Sequence, residues 1–164
     1  MIRLRLQRRM DVTRSTTALP LTEEEIVGQA RETVEKFFEL FAAGKISDAT
    51  DLFDPTCITL MPAGALSQAE HEGMGHAFKA GLPDCYMEVN RIVESGDEVV
   101  VLGHFKGTHS GDLRAPGGTI PASGKALNLR FMDYFKVVGG RIVDHQTIFD
   151  QMEMLTQLGV MAEG

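Results

Sequence analysis

Tryptophan is absent from this 164-residue chain, cysteine and tyrosine occur twice each, and no apolar run approaches the length of a membrane span. Cys57 and Cys85 are too few and too far apart for a disulfide framework or a zinc site, and they suit a reduced, cytoplasmic setting. Without a stretch of about 20 apolar residues, no membrane partner is expected. Positive charge is scarce outside the opening segment. There Arg3, Arg5, Arg8, Arg9 and Arg14 face Asp11 alone, a balance of +4, so within a net charge of −7 residues 21–164 carry −11. An acidic body of this kind argues against a nucleic-acid partner. Residues 1–20 lack the apolar core of a secretory signal and faintly resemble a transit peptide; they read as an extension arm, or as sequence upstream of a start at Met10. Residues 21–164 read as one domain, since 43% hydrophobic content on this length can enclose a core and a small cavity.

What is present is helix first and strand afterwards. Thr22-Glu23-Glu24-Glu25 is a capping box, followed at helical spacing by Ile26, Ala30, Val34, Phe37, Phe38 and Phe41 until Gly44. Ser47–Phe53 predicts a short second helix and Cys57–Leu60 a brief strand. Ser67-Gln68-Ala69-Glu70 opens a third helix carrying Met74, Ala77 and Phe78, which stops near Gly81 and Pro83. Strands are predicted over Cys85–Glu94 and Glu98–His109, the latter covered on both faces at its start by Val99, Val100, Val101 and Leu102. Ser110–Lys125, rich in glycine and proline, predicts a long loop that would act as a lid or pocket rim. A strand, a hairpin partner and a short C-terminal helix with Met152, Leu155 and Leu158 complete an α+β domain, with helices laid over one face of a curved antiparallel sheet.

The segment from Leu127 to Val137 carries an acid in an unexpected place. Along a strand, one face would hold Leu127, Leu129, Phe131, Asp133, Phe135 and Val137. A carboxylate among five large apolar side chains either bears a desolvation cost of several kcal/mol or borders a cavity that keeps it partly solvated. Gly139-Gly140 has the composition of a two-residue hairpin loop, which fixes the register. Counted down an unbroken ladder, Phe135 faces Asp144, Asp133 faces Gln146, Phe131 faces Ile148 and Leu129 faces Asp150. One surface would then combine Asp133, Asp144, Gln146 and Asp150 with Leu129, Phe131, Phe135, Ile142 and Ile148, the mixture expected of a ligand pocket. Asp144, near the hairpin end, and Asp150, the N-cap of Asp150-Gln151-Met152-Glu153, also have ordinary structural readings. Gln146 would donate a hydrogen bond to Asp133 or to a ligand, and Phe38 would add to the pocket wall from the first helix.

Among the histidines, His109 shares parity with the buried side of its strand and makes a second polar pocket group beside the long loop. His104 and His145 fall on the opposite parities, at the surface or a subunit interface. His71 and His76 sit five apart, about 140° around a helix, which excludes the usual zinc clamp. Gly73-Met74-Gly75 lacks the third glycine of a dinucleotide fingerprint, so no nucleotide cofactor is implied. The phenylalanines and methionines, nine of each, are mostly core, with methionine suited to adaptable pocket lining.

Five blocks occur in an order that resembles the SnoaL-like polyketide cyclase or ester cyclase family, of the nuclear-transport-factor-like superfamily. They are Leu82-Pro83-Asp84, Gly107-Thr108-His109-Ser110-Gly111, Pro121-Ala122-Ser123-Gly124-Lys125, Gly140-Arg141-Ile142-Val143-Asp144, and Phe149-Asp150 leading to Leu155-Thr156-Gln157-Leu158-Gly159. The likeness spans roughly residues 28–162. It implies a cone-shaped sheet with a deep apolar pocket, a homodimer, and an aspartate acting as acid and base in an intramolecular aldol condensation without metal or cofactor. Asp133 matches that aspartate, and the implied substrate is a small apolar carbonyl compound. The chain departs from the family where Gln146 replaces a frequent tryptophan and where Ile58-Thr59-Leu60-Met61-Pro62 lacks a frequent histidine, so its substrate is expected to differ from that of the best-known members. Two other functions fit the same cone. One is an isomerase or an epoxide hydrolase, against which Arg130 counts by lying on the face opposite Asp133. The other is a noncatalytic binding protein.

Overall fold

The structure, a computed structural model, describes residues 23–161. The arm expected over residues 1–20 and the cap expected at Thr22 lie outside them. The elements run α1 (Glu23–Ala42), α2 (Ile46–Thr50), β1 (Thr59–Met61), β2 (Gly64–Leu66), α3 (Gln68–Gly81), β3 (Tyr86–Ser95), β4 (Glu98–Thr108), β5 (Leu113–Ala115), β6 (Gly118–Ile120), β7 (Ala126–Val138), β8 (Arg141–Phe149) and α4 (Gln151–Gln157). Strands β2-β1-β8-β7-β4-β3 form one curved, unclosed sheet, antiparallel except where β1 runs parallel to β8.

The helical spacing read in α1 delivers its purpose here. Ala30, Val34, Phe37, Phe38 and Phe41 are all buried, with Phe37 and Phe38 each 5.8 Å from the Phe135 ring and Phe38 6.1 Å from Phe131. Each such aromatic stabilises the fold by about 1.5–3 kcal/mol through the area it removes from water. At the start of α3 the Ser67 hydroxyl accepts from the Glu70 N–H while the Glu70 carboxylate accepts from the Ser67 N–H, a complete capping box. On β7 the alternation is strict: Leu127, Leu129, Phe131, Asp133, Phe135 and Val137 are all buried, and the residues between them face outward. Gly103 on β4 allows this packing, because a Cβ there would lie 2.3 Å from the Glu88 carbonyl oxygen and 2.9 Å from the Phe131 ring.

Two expectations are corrected. The segment 110–125 is no open rim: it folds into the β5–β6 hairpin, and buried Leu113 pins it to the end of α3, where Gly111 N–H donates to the Gly81 carbonyl at 3.0 Å. The hairpin register also changes. Gly139 and Gly140, with φ of 58° and 75°, make the tight turn, and Val138 pairs with Arg141 and Val137 with Ile142. Then Val143 bulges, and the ladder resumes as Lys136–Asp144, Phe135–His145, Tyr134–Gln146, Asp133–Thr147, Met132–Ile148 and Phe131–Phe149. The one extra residue turns every later side chain of β8 to the other face.

Candidate functional site

The inner faces of β7 and β8, with α1 and α3 across from them, enclose a cavity of about 80 Å³. Its walls are apolar, from Phe37, Phe41, Phe78, Phe105, Leu129 and Phe131 with Met61, Met74, Met87 and Met154; its polar groups include Asp133, His145, His71 and Thr147. Asp133 is only 3% exposed, its Oδ1 has no hydrogen-bond partner, and its Oδ2 lies 3.8 Å from Nε2 of His145. That separation is beyond hydrogen-bond length. The His145 ring is fixed on its other sides: it stacks on Phe135 at 4.5 Å and 14°, and its Nδ1 lies 3.1 Å from the Thr59 hydroxyl. Its Nε2, like Asp133 Oδ1, is buried without a partner. Buried polar atoms are nearly always paired, so two orphans bordering one cavity mark a place where a ligand oxygen or a water completes the bonding.

His71 projects from α3 toward the same cavity, its ring 5.3 Å from that of His145. Burial, and secondarily the neighbouring His145, push its pKa down from 6.5 to about 3. His71 is therefore a neutral hydrogen-bonding group. His76 stands exposed on the outer side of α3, 3.6 Å from Glu72. The unfolded chain takes up a proton on His71 below its ordinary pKa of 6.5, whereas the folded chain resists it down to about 3, so stability falls as pH drops through that window. His71→Phe, which cannot protonate, is expected to move the acid-unfolding midpoint to lower pH in a circular-dichroism titration. An unmoved midpoint would show that the burial of His71 does not govern acid stability.

Of the residues read from sequence, Asp133, Leu129 and Phe131 border the cavity. Phe135 forms the floor beneath His145, and Phe38 packs behind it, so neither lines the cavity itself. Gln146 and Ile148 face outward instead, opposite Tyr134 and Met132, with Ile148 59% exposed; Asp144 lies opposite Lys136. The Val143 bulge is the cause in all three cases. Asp150 is exposed and acts as the N-cap of α4, accepting from the N–H groups of Met152 and Glu153 at 2.9 and 3.0 Å. His109 is fully buried outside the cavity walls, with Nδ1 2.9 Å from the Ser123 hydroxyl; it follows the end of β4, where strand parity no longer applies. His145, expected at the surface or a subunit interface, is buried and lines the cavity, and Thr147 joins it there, because the bulge that turns them inward is silent in composition; Thr59 reaches His145 through the parallel pairing of β1 with β8, a long-range contact that local pattern does not show. His71 had a signal: it shares a helical stripe with Met74 and Phe78.

The family model described as SnoaL-like polyketide cyclase matches residues 31–158. No curated protein matches the sequence. Among solved structures, IdmH from Streptomyces antibioticus, described as a proposed polyketide cyclase, is similar over 80% of this chain and 99% of its own, at 28% identity and a TM-score of 0.67. AclR from Streptomyces galilaeus, described as a proposed hydroxylase, is similar in fold at 17% identity, covering 84% of this chain and 85% of its own with a TM-score of 0.73. A Catenulispora acidiphila protein described as having a ketosteroid isomerase-like fold, in complex with trimethylamine, covers 78% of this chain and 92% of its own at 15% identity and a TM-score of 0.64. Among the described residues no helix is long and apolar enough to cross a membrane.

Proposed function

This chain belongs to the SnoaL-like polyketide cyclase family, and from that premise we propose that it catalyses proton transfer on an apolar carbonyl substrate, closing a ring by intramolecular aldol condensation. The observation that carries the reading is Asp133, a buried carboxylate with a free oxygen in an apolar cavity. Asp133 removes a proton from the carbon beside a carbonyl. The resulting enolate carbon attacks a second carbonyl of the same molecule, forming the new carbon–carbon bond and leaving an alkoxide. Asp133, now protonated, returns the proton to that alkoxide. In this mechanism the Thr59 hydroxyl, 3.1 Å from Nδ1 of His145, donates to that nitrogen, so that the ring offers its Nε2 hydrogen to the enolate oxygen. Neutral His71 lies beside it as a further hydrogen-bonding group. The reaction as written transfers protons and forms one carbon–carbon bond with no net oxidation or reduction, and each of its steps is assigned to a side chain of this chain or to the substrate itself.

The test is deuterium exchange, followed by proton NMR, at the carbon between the carbonyls of a small β-keto ester in D2O. Wild-type protein is expected to accelerate exchange and Asp133→Asn to lose the acceleration. Binding of the ester without exchange would instead make the chain a ligand-binding member of its family. The protein is further proposed to act as a homodimer, which the exposed Val93, Leu102 and Met132 on the outer face of β3, β4 and β7 favour. Sedimentation equilibrium should then give twice the 18.0 kDa chain mass.

A further inference from the structure

The register that brings His145 into the cavity brings a second polar group with it. Past the Val143 bulge the inner face of β8 carries His145, Thr147 and Phe149, and Thr147 stands directly opposite Asp133 in the ladder. Directly opposed residues hold their Cβ atoms about 4.5–5.5 Å apart, so the Thr147 hydroxyl and the Asp133 carboxylate serve the same part of the cavity. The hydroxyl is not spent on Oδ1 of Asp133, which has no hydrogen-bond partner. His145 lies two residues along the same face, roughly 6.5–7 Å away measured along the backbone, so the two β8 side chains are separate donors rather than one paired site. The wall around them is apolar, from Leu129, Phe131 and Phe149.

An aldol ring closure creates negative charge twice, first on the enolate oxygen and then on the oxygen of the attacked carbonyl. His145 meets the first. An apolar wall strongly disfavours the second unless a donor stands where that charge develops. We propose that Thr147 is this donor, and that the substrate is one chain with two separate carbonyl groups, the enolised one held at His145 and the attacked one at Thr147. The proposal rests on the function given above. As the new carbon–carbon bond forms, the π electron pair of the attacked carbonyl moves onto its oxygen, the Thr147 hydroxyl donates to that alkoxide, and the proton held by Asp133 passes to it. Substrate and product are isomers. The pairing of Thr147 with Asp133 puts the alkoxide beside the acid that must protonate it.

Two esters separate the steps: methyl 3,7-dioxooctanoate, a β-keto ester with a second ketone placed to close a six-membered ring, and methyl 3-oxooctanoate, which lacks that ketone. Proton NMR in D2O reads enolisation as deuterium exchange at the carbon between ester and ketone. It reads ring closure as conversion of the methyl ketone signal to that of a methyl group on a tertiary alcohol carbon. In Thr147→Val, exchange into methyl 3-oxooctanoate is expected to stay within about twofold of wild type while ring closure of the dioxo ester falls about 10²–10³-fold, the usual cost of one oxyanion donor. Thr147→Ser, which keeps the hydroxyl, should close the ring at nearly the wild-type rate. Unchanged ring closure in Thr147→Val overturns the role of Thr147 alone. So does an equal loss of exchange and closure, the mark of a residue that only shapes the site, and so does exchange by wild type without closure. A wild type that does neither removes the proposed function and this role together.

Discussion

Asp133→Asn is expected to lower kcat/KM for deuterium exchange by about 10²–10⁴-fold, the usual contribution of a positioned acid or base, without lowering the unfolding temperature. The two halves of that expectation have separate causes. Asparagine keeps the size and shape of the side chain but offers no carboxylate to accept a proton, so chemistry is lost while packing is kept. The carboxylate is held at 3% exposure with Oδ1 unpartnered and its nearest cation-forming neighbour, His145 Nε2, at 3.8 Å. Replacing an incompletely paired buried charge by a neutral isostere relieves desolvation, and the variant should be as stable as wild type or more so. Differential scanning calorimetry of both proteins at neutral pH checks this. A loss of about 3–5 kcal/mol would identify Asp133 and His145 as a structural ion pair instead, since that is the penalty for breaking one.

The largest loss of stability is expected at Phe135. It is fully buried, lies 5.8 Å from both Phe37 and Phe38, and carries the stacked His145 ring at 4.5 Å. Phe135→Ala removes a ring from the contact between α1, β7 and β8, and the surrounding rings are too rigid to close the space fully. A loss of about 3–5 kcal/mol is expected, a large share of the roughly 5–15 kcal/mol that holds a domain folded. Urea denaturation should show a lower midpoint with an unchanged slope. Catalysis should fall with it even where the variant is folded, because His145 loses the surface that sets its ring plane. Phe135→Leu, which retains much of the volume, should lose less of both. A loss under about 1 kcal/mol for Phe135→Ala would mean that the aromatic cluster collapses onto the space, against the rigidity argued here.

Much of the fold was legible in the residues because it rests on short-range periodicity. The burial of Ala30, Val34, Phe37, Phe38 and Phe41 follows from helical spacing, and the inward face of β7 follows from alternation, which placed Asp133 among apolar neighbours. The order of motifs was enough to indicate the family that the match over residues 31–158 shows. The composition of the cavity's polar set was not legible. Gly139-Gly140 fixed the first two pairs of the hairpin, but the register beyond them depended on whether the ladder stayed unbroken.

Tertiary contacts broke it. Ile142 is held by backbone hydrogen bonds with Leu52 and Asp54 at 2.8 Å, while His145 is held by Thr59 and by the face of Phe135. Those two residues are three apart and are both buried, which an unbroken strand of period two does not permit. The chain resolves the conflict by bulging at Val143, bringing His145 and Thr147 to the cavity and turning Gln146 and Ile148 away. The amino-acid sequence alone thus determined which helices and strands form and that an acid faces the core, because those depend on neighbours a few positions apart. Which groups meet that acid was decided only by the assembled fold, because it depends on anchors from β1, from β7 and from the turn after α2 pulling on one strand.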